Sequence, residues 1–150
     1  TGVRRRAAAA EAPFERMATM DKLAELLPEA DVVASVLPST PQTRGLADAD
    51  FFARMKEGAI FANAGRGDLV NQSALLSALQ SGHLAGAALD VCTPEPLPGD
   101  DALWTAPNLL LTPHISGFYH LPVTLDNIVA IAAGNIRALL SGGELRNRVL

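Results

Sequence analysis

Short apolar runs alternate with segments of helical pattern along this chain, and that alternation limits the possible folds more than any other feature. The runs have the length and valine-rich or leucine-rich composition of buried strands, and they cover 30–37, 59–63, 84–91 and 108–112. The spacing of apolar residues predicts helices over 47–56, 71–82 and 121–140. Strands that alternate with helices form βαβ units, so we expect an α/β fold around a parallel sheet.

The ends of two predicted helices carry residues that fit those places. Asp48 and Asn71 are expected to act as N-caps, since their side chains can accept hydrogen bonds from free backbone N–H groups. Gly58 and Gly82 follow these helices as residues that tolerate the turn after a C-terminus. The continuous apolar runs imply strands that are covered on both faces.

Composition excludes several classes of protein. The 150 residues are 49% hydrophobic and 19% charged, which is incompatible with intrinsic disorder. A net charge of −4 argues against a nucleic-acid partner. The one cysteine, Cys92, cannot form an internal disulfide, and no Cys/His cluster has metal-ligand spacing. No uninterrupted apolar run approaches about 18 residues, so we expect no membrane partner and a soluble, cytoplasmic protein.

Three polar residues each follow a predicted strand: Arg66 in AGRGD, Glu95 in TPEP and His114 in TPHISG. Ligands of open parallel sheets bind where strands end, so these side chains are candidates for one site. Arg66 offers a planar fork for a carboxylate, and the flanking glycines let the backbone approach a ligand. His114 could exchange a proton near neutral pH. Each of the three, taken alone, also fits an ordinary loop residue.

Three longer stretches resemble the D-isomer-specific 2-hydroxyacid dehydrogenases. They are ADVVASVLPSTPQTRGL, MKEGAIFANAGRGDLVNQSALLSALQSGHLAGAALDVCTPEPLP and NLLLTPHISG. The resemblance implies a Rossmann-like, doubly wound parallel sheet. It also implies an NAD(P)-dependent enzyme that interconverts a small 2-keto acid, such as glyoxylate or hydroxypyruvate, and the D-2-hydroxy acid by hydride transfer.

The resemblance also implies roles for individual residues. Arg66 would bind the substrate carboxylate, His114 would be the general acid/base, and Glu95 would be its partner, because a carboxylate favours the imidazolium form. Formate dehydrogenases, another branch, usually pair the histidine with glutamine, so Glu95 argues against that branch. The expected cofactor-binding residues are Arg4, Arg5, Leu37, Pro38, Ala64, Gly65, Arg66, Asp90, His114, Ser116 and Gly117.

One feature of the family is missing from this sequence, namely the G-x-G-x-x-G fingerprint of dinucleotide binding. We therefore expect residues 1–150 to be part of an NAD(P)-binding domain that lacks its first βαβ unit, with the substrate domain absent. Such a chain should be inactive alone and should associate as a homodimer. Arg4, Arg5 and Arg6 would suit a 2′-phosphate, which favours NADP over NAD.

Other assignments remain open at this stage. The chain could instead be a non-catalytic module for dinucleotide binding or dimerisation, like the corepressor branch of the family. His83 and His120 are expected at the surface, Cys92 in the core, and residues 145–149 in the segment that returns to the substrate domain.

Overall fold

All the strand pairings are parallel, and they form two sheets. The computed structural model describes residues 1–10, 12–117 and 121–147. The strands are β1 (Gly2–Arg4), β2 (Met17–Thr19), β3 (Val32–Ser35), β4 (Ala59–Asn63), β5 (Leu84–Leu89) and β6 (Leu109–Leu111). β1 pairs with β2, and the second sheet has the order β3-β4-β5-β6. The expected Rossmann-like α/β architecture is confirmed.

Two of the helices begin directly after the predicted caps. The helices are α1 (Leu23–Leu26), α2 (Ala49–Arg54), α3 (Gln72–Gln80) and α4 (Pro122–Ser141), with short 3₁₀ turns at 20–22, 27–29, 67–69 and 102–105. Asp48 accepts a hydrogen bond from the N–H of Phe51 at 2.9 Å, and Asn71 accepts one from Ala74 at 3.0 Å. Both N-cap predictions are confirmed.

The core lies on one face of the four-stranded sheet. Phe61 of β4 points into it and meets the rings of Phe51 and Phe52 edge to face, with centroid distances of 6.0 and 5.2 Å. Leu75 and Leu79 add the buried stripe of α3. Such packing holds β4 and β5 firmly and therefore fixes the positions at which these strands end.

The opposite face of the same sheet is open. Val32, Ile60 and Leu110 are 58%, 44% and 62% exposed, and Val32 lies directly beside Ile60 in the register. Strands with both faces covered were predicted, and this part of the prediction is wrong for the described residues.

The parallel sheet is also interrupted between β1 and β3. A cavity of about 400 Å³ lies there, lined by Thr1 and Val3 on one side and by Val32–Leu37 on the other. The sequence analysis missed β2 and the segment 20–29, because three short helical turns there lack a clear period.

Residues 115–150 form a second compact unit, separate from residues 1–114. Its helix, α4, ends at Gly142 in a left-handed conformation with φ 71°. The predicted apolar stripe of α4 is exposed at Ile128 and Ile136. His120 and the end of the tail, 148–150, lie outside the described residues.

Helix α4 contradicts the expectation that no segment is apolar enough to span a membrane. Its 20 residues have a mean hydropathy of 1.4 and meet that requirement of length and composition. The search for an unbroken apolar run missed this helix, because Asp126 and Arg137 interrupt its apolar residues. Its isoleucines and leucines nevertheless keep the mean hydropathy high. A single helix of this kind is weak evidence for a membrane.

Candidate active site

The carboxyl ends of β4, β5 and β6 lie side by side and form one rim. Asn63, Leu89 and Leu111 are neighbours in the register. Beyond the strands, the N–H of Asp90 donates to Asn63 and the N–H of His114 donates to Asp90, at 3.0 and 2.9 Å. The loops that carry Arg66, Glu95 and His114 therefore all leave the same edge of the sheet.

Glu95 and His114 are in direct contact on this rim. Nδ1 of His114 lies 2.9 Å from Oε2 of Glu95, and both side chains are partly exposed, at 46% and 41% respectively. The other carboxylate oxygen accepts a hydrogen bond from the N–H of Cys92 at 3.1 Å. The predicted pair is thus assembled within the described residues.

The environment of Glu95 favours its ionised form. The hydrogen bond from His114 is the main cause of a lowered pKa of the Glu95 carboxyl, and the N–H of Cys92 adds to it. Partial burial and the negative Asp90 oppose this shift. An ionised carboxylate only accepts hydrogen bonds, so Nδ1 of His114 donates and Nε2 remains available for proton exchange.

The backbone of His114 adopts a left-handed conformation, with φ 55°. This conformation is uncommon for a residue with a side chain. The N–H of His114 is shared between the carbonyl oxygens of Asp90 and Thr112, at 2.9 and 3.0 Å, which holds the turn in place. The imidazole is therefore aimed by a strained but anchored backbone.

Asn63 organises the loop of Arg66, and the sequence analysis did not identify it. This side chain is 1% exposed. Its amide donates to the carbonyl of Arg66 at 2.9 Å and accepts from the N–H of Gly65 at 3.1 Å. A polar residue at the end of the apolar run AIFAN was the available signal. The guanidinium of Arg66 bonds only to the carbonyl of Gly65 among described residues, at 2.7 Å.

The two glycines beside Arg66 are needed for contact between neighbouring loops. A Cβ atom on Gly65 would lie 2.5 Å from the carbonyl oxygen of Leu37, and one on Gly67 would overlap the carbonyl of Cys92. The sequence analysis explained these glycines by a close approach of the backbone to a ligand, and that explanation is incomplete. The glycines let the loops after β3, β4 and β5 pack backbone against backbone.

Asp68 joins the same loops through its side chain. It accepts a hydrogen bond from the hydroxyl of Ser39 at 2.6 Å and lies 3.2 Å from Nε of Arg44. Both partners belong to the loop that follows β3. The backbone of Arg66 is consequently supported from two sides.

The residues expected to hold a cofactor are spread around this rim and beyond. Asp90 is 6% exposed and accepts a hydrogen bond from the hydroxyl of Thr112 at 2.5 Å. Leu37 and Pro38 follow β3, and the N–H of Ala64 donates to the carbonyl of Ser35 at 2.9 Å.

The other four expected residues lie at the end of β1 and at the start of the second unit. Arg4 ends β1 and Arg5 follows it, both exposed. Ser116 and Gly117 form a turn in the second unit.

A cavity of about 580 Å³ lies at the Glu95–His114 pair, and Trp104, Leu97 and Thr112 contribute to its wall. Within the described ranges, no hydrogen bond or ion pair joins Arg66 to the pair. The structure thus brings Glu95 and His114 together and places Arg66 on a neighbouring loop of the same edge.

The remaining candidates have structural roles. His83 is partly buried, and its Nε2 lies 2.9 and 3.0 Å from the carbonyl oxygens of Phe52 and Met55 at the end of α2, so the surface assignment is wrong. Cys92 packs against the core, and burial raises the pKa of its thiol. No group of metal-ligating side chains is present in the described part of the chain.

Comparison with known proteins decides the family. Residues 1–116 match the family model for the D-isomer specific 2-hydroxyacid dehydrogenase, NAD binding domain. The chain belongs to this family. Glyoxylate/hydroxypyruvate reductase B of Escherichia fergusonii is 47% identical over 124 residues, which are 83% of this chain and 38% of that protein. The chain therefore spans less than half the length of the curated relatives it matches.

Solved structures of the family share this fold. A D-isomer specific 2-hydroxyacid dehydrogenase from Xanthobacter autotrophicus, in complex with NADPH and MES, matches with a TM-score of 0.81 and 36% identity, covering 99% of this chain and 60% of that one. An NADPH-dependent glyoxylate/hydroxypyruvate reductase from Sinorhizobium meliloti, in complex with NADP and sulfate, gives 0.80 at 30% identity, with 99% and 46% covered. Both alignments cover nearly the whole chain, so α4 belongs to the family's fold.

Proposed function

We propose that this chain forms part of an NAD(P)-dependent oxidoreductase that interconverts a small 2-keto acid and the D-2-hydroxy acid. The observation that carries the proposal is the contact between His114 and Glu95 at 2.9 Å, on the carboxyl edge of a family NAD-binding domain. Relatives named glyoxylate/hydroxypyruvate reductase support glyoxylate and hydroxypyruvate as test substrates.

The residues of the rim suit reduction of a ketone. The oxygen of a ketone gains negative charge as hydride reaches the carbon, so a proton donor beside it stabilises the transition state. Nε2 of His114 would supply that proton, and ionised Glu95 would stabilise the imidazolium and orient the ring. Arg66 would bind the substrate carboxylate through its planar fork. NAD(P)H, when bound, supplies the hydride.

The donor set of the rim fits a dinucleotide. Asp90 is a nearly buried carboxylate at the end of β5, suited to an amide N–H of the nicotinamide group. The backbone around Leu37, Pro38, Ala64 and Gly65 would line the adjoining ribose, and Ser116 with Gly117 would lie beside the ring.

NADP is the favoured cofactor in this proposal. Arg4 and Arg5 are exposed at the end of β1, where guanidinium groups would pair with a 2′-phosphate. We expect NADPH to give a higher kcat/KM than NADH, and the double variant Arg4→Asp/Arg5→Ala to remove that preference. Arg16→Ala is the matched control, since Arg16 pairs with Glu29 on the surface. An equal response to both cofactors in the wild type would contradict the assignment.

We also propose that the protein is cytoplasmic. It should form a homodimer, because apolar surface is exposed at Val32, Ile60, Leu110 and along α4. Exposed apolar surface of this kind favours association. Sedimentation equilibrium should give a mass near twice 15.7 kDa for the 150-residue chain. A monodisperse monomer over the micromolar range would contradict this part.

The test of the activity uses the protein encoded by the complete reading frame. We expect oxidation of NADPH with glyoxylate or hydroxypyruvate, and a KM at least about tenfold higher in Arg66→Lys, which keeps the charge but loses the fork. Arg54→Lys on α2 is the control, because within the described residues the ion-pair partner of Arg54 is the exposed Asp50 on the same helix. Cofactor binding without turnover would favour the corepressor-like module instead.

A further inference from the structure

We propose that Gln72 and Trp104 are positioning residues, which fix the two ends of the loop that carries Glu95 and so hold this carboxylate against His114. The inference rests on the proposed role of the Glu95–His114 pair. It assigns a task to two side chains outside that pair, one on α3 and one on the 3₁₀ turn 102–105.

Gln72 fixes the beginning of the loop. It is the first residue of α3, and its side-chain oxygen accepts a hydrogen bond from the N–H of Thr93 at 2.7 Å. Helix α3 is anchored in the core by Leu75 and Leu79, both buried. A rigid helix therefore holds the side-chain oxygen of Gln72 against Thr93, which lies two residues before Glu95 in the sequence.

Trp104 fixes the end of the loop. Its indole N–H donates to the carbonyl of Pro98 at 2.7 Å. The 3₁₀ turn that carries it is capped by the carboxylate of Asp101 and anchored by the buried Leu103. The indole is 54% exposed, so burial in the core does not explain a tryptophan here. The ring instead forms part of the cavity wall at Glu95 and His114.

Glu95 itself has little else to keep it in place. Its side chain is partly exposed, and its hydrogen-bond partners among the described residues are the N–H of Cys92 and the imidazole of His114. The ionisable groups that face it are His114 after β6, Asp90 at the end of β5 and Cys92 on its own loop. Its distance from His114 therefore depends on where the ends of its loop are held.

The experiment follows the carboxyl carbon of Glu95 by ¹³C NMR during a pH titration of the 150-residue chain. Trp104→Phe keeps the ring but removes the N–H, and Gln72→Leu removes the acceptor. In both variants we expect the pKa of Glu95 to rise toward the ordinary value of a glutamate, because contact with His114 is loosened. Gln72→Glu retains an acceptor oxygen, and at about 1 M salt, which screens its added negative charge from Glu95, it should restore the titration that the wild type shows at the same salt concentration.

Matched controls lie on the same two elements. Thr105→Val changes the residue next to Trp104, and within the described part of the chain the hydroxyl of Thr105 bonds to the carbonyl of Ala102 in the same turn. Gln80→Leu changes the exposed last residue of α3. Both should titrate like the wild type. A merely structural role of Gln72 and Trp104 would lower the melting temperature without moving the titration of Glu95.

Two outcomes separate this inference from the proposed function. If His114→Asn raises the pKa of Glu95 while Trp104→Phe and Gln72→Leu do not, the positioning role is wrong and the pair stands. If His114→Asn leaves the titration unchanged, the pair itself is wrong, and the proposed function loses its support. Should Trp104→Phe fail to fold, the comparison of Gln72→Leu with Gln72→Glu decides.

Discussion

The Glu95–His114 pair and the Arg66 loop leave the same edge of the sheet, but they are held in different ways. The pair consists of two partly exposed side chains that bond to each other. Arg66 has a backbone fixed by the buried amide of Asn63, while its guanidinium bonds only to the neighbouring carbonyl among described groups. The pair proposed for proton transfer is therefore joined through its side chains, whereas the residue proposed for anion binding is held through its backbone. This difference means that each can be perturbed without the other.

The largest effect is expected from removing the proton donor. His114→Asn in the complete protein should lower kcat by about 10²- to 10⁴-fold, the usual loss for a general acid. Asparagine tolerates the left-handed backbone at this position, so the turn should persist. Steady-state kinetics with glyoxylate checks this, and KM should change far less than kcat. A kcat within a factor of about two would break the assignment of His114.

A smaller effect is expected from removing the side-chain hydrogen bonds that hold the Arg66 loop. Asn63→Ala leaves the N–H of Gly65 and the carbonyl of Arg66 without their partner, so the free energy of unfolding should fall by about 1–3 kcal/mol. Urea unfolding of the 150-residue chain measures this loss. The control is Asn135→Ala on α4, whose amide bonds to the exposed Arg146 segment. If Asn63→Ala also moved the titration of Glu95, the two regions would not be independent.

The sequence predicted the helix caps, strand β4 and the Glu95–His114 pair better than it predicted the hydrogen bonds that hold the loops. Asp48, Asn71 and strand β4 follow from local propensity, and Glu95 with His114 follow from the family resemblance. The roles of Asn63, Gln72 and Trp104 could not be predicted, because they depend on hydrogen bonds to backbone groups of loops, and nothing in the sequence indicates which loop lies within reach.

The failed predictions also have physical reasons. Continuous apolar strands indicated two covered faces, yet small residues such as Gly86 and Ala88 and the larger Ile60 occupy a face that is open. An apolar composition shows that a strand can be covered on both faces, but its burial depends on which elements pack against each face. His83 illustrates the same limit, since its partners lie on α2, about 30 residues earlier.

The smallest effect concerns pH and the pair. The pKa of Glu95 is lowered in the folded protein, so its ionised form stabilises the fold at pH values above the ordinary pKa of a glutamate carboxyl. That contribution disappears as the pH falls through the lowered pKa. The melting temperature of the wild type should therefore exceed that of Glu95→Gln near neutral pH, and the two should converge in acid. Glu57→Gln, after α2, is the control, because its side chain has no hydrogen bond or ion pair with the described residues. A difference between the wild type and Glu95→Gln that stays constant at all pH values would contradict the hydrogen-bonded pair.

Hydride transfer to a 2-keto acid at this rim, as proposed above, can be followed directly with an isotope label. The complete protein is incubated with hydroxypyruvate and NADPH that carries deuterium at both C4 positions. With the wild type we expect a D-2-hydroxy acid that carries one deuterium at C2, and with His114→Asn we expect far less of this product. A product of L configuration, a product without deuterium at C2, or no product despite bound cofactor would contradict this proposal.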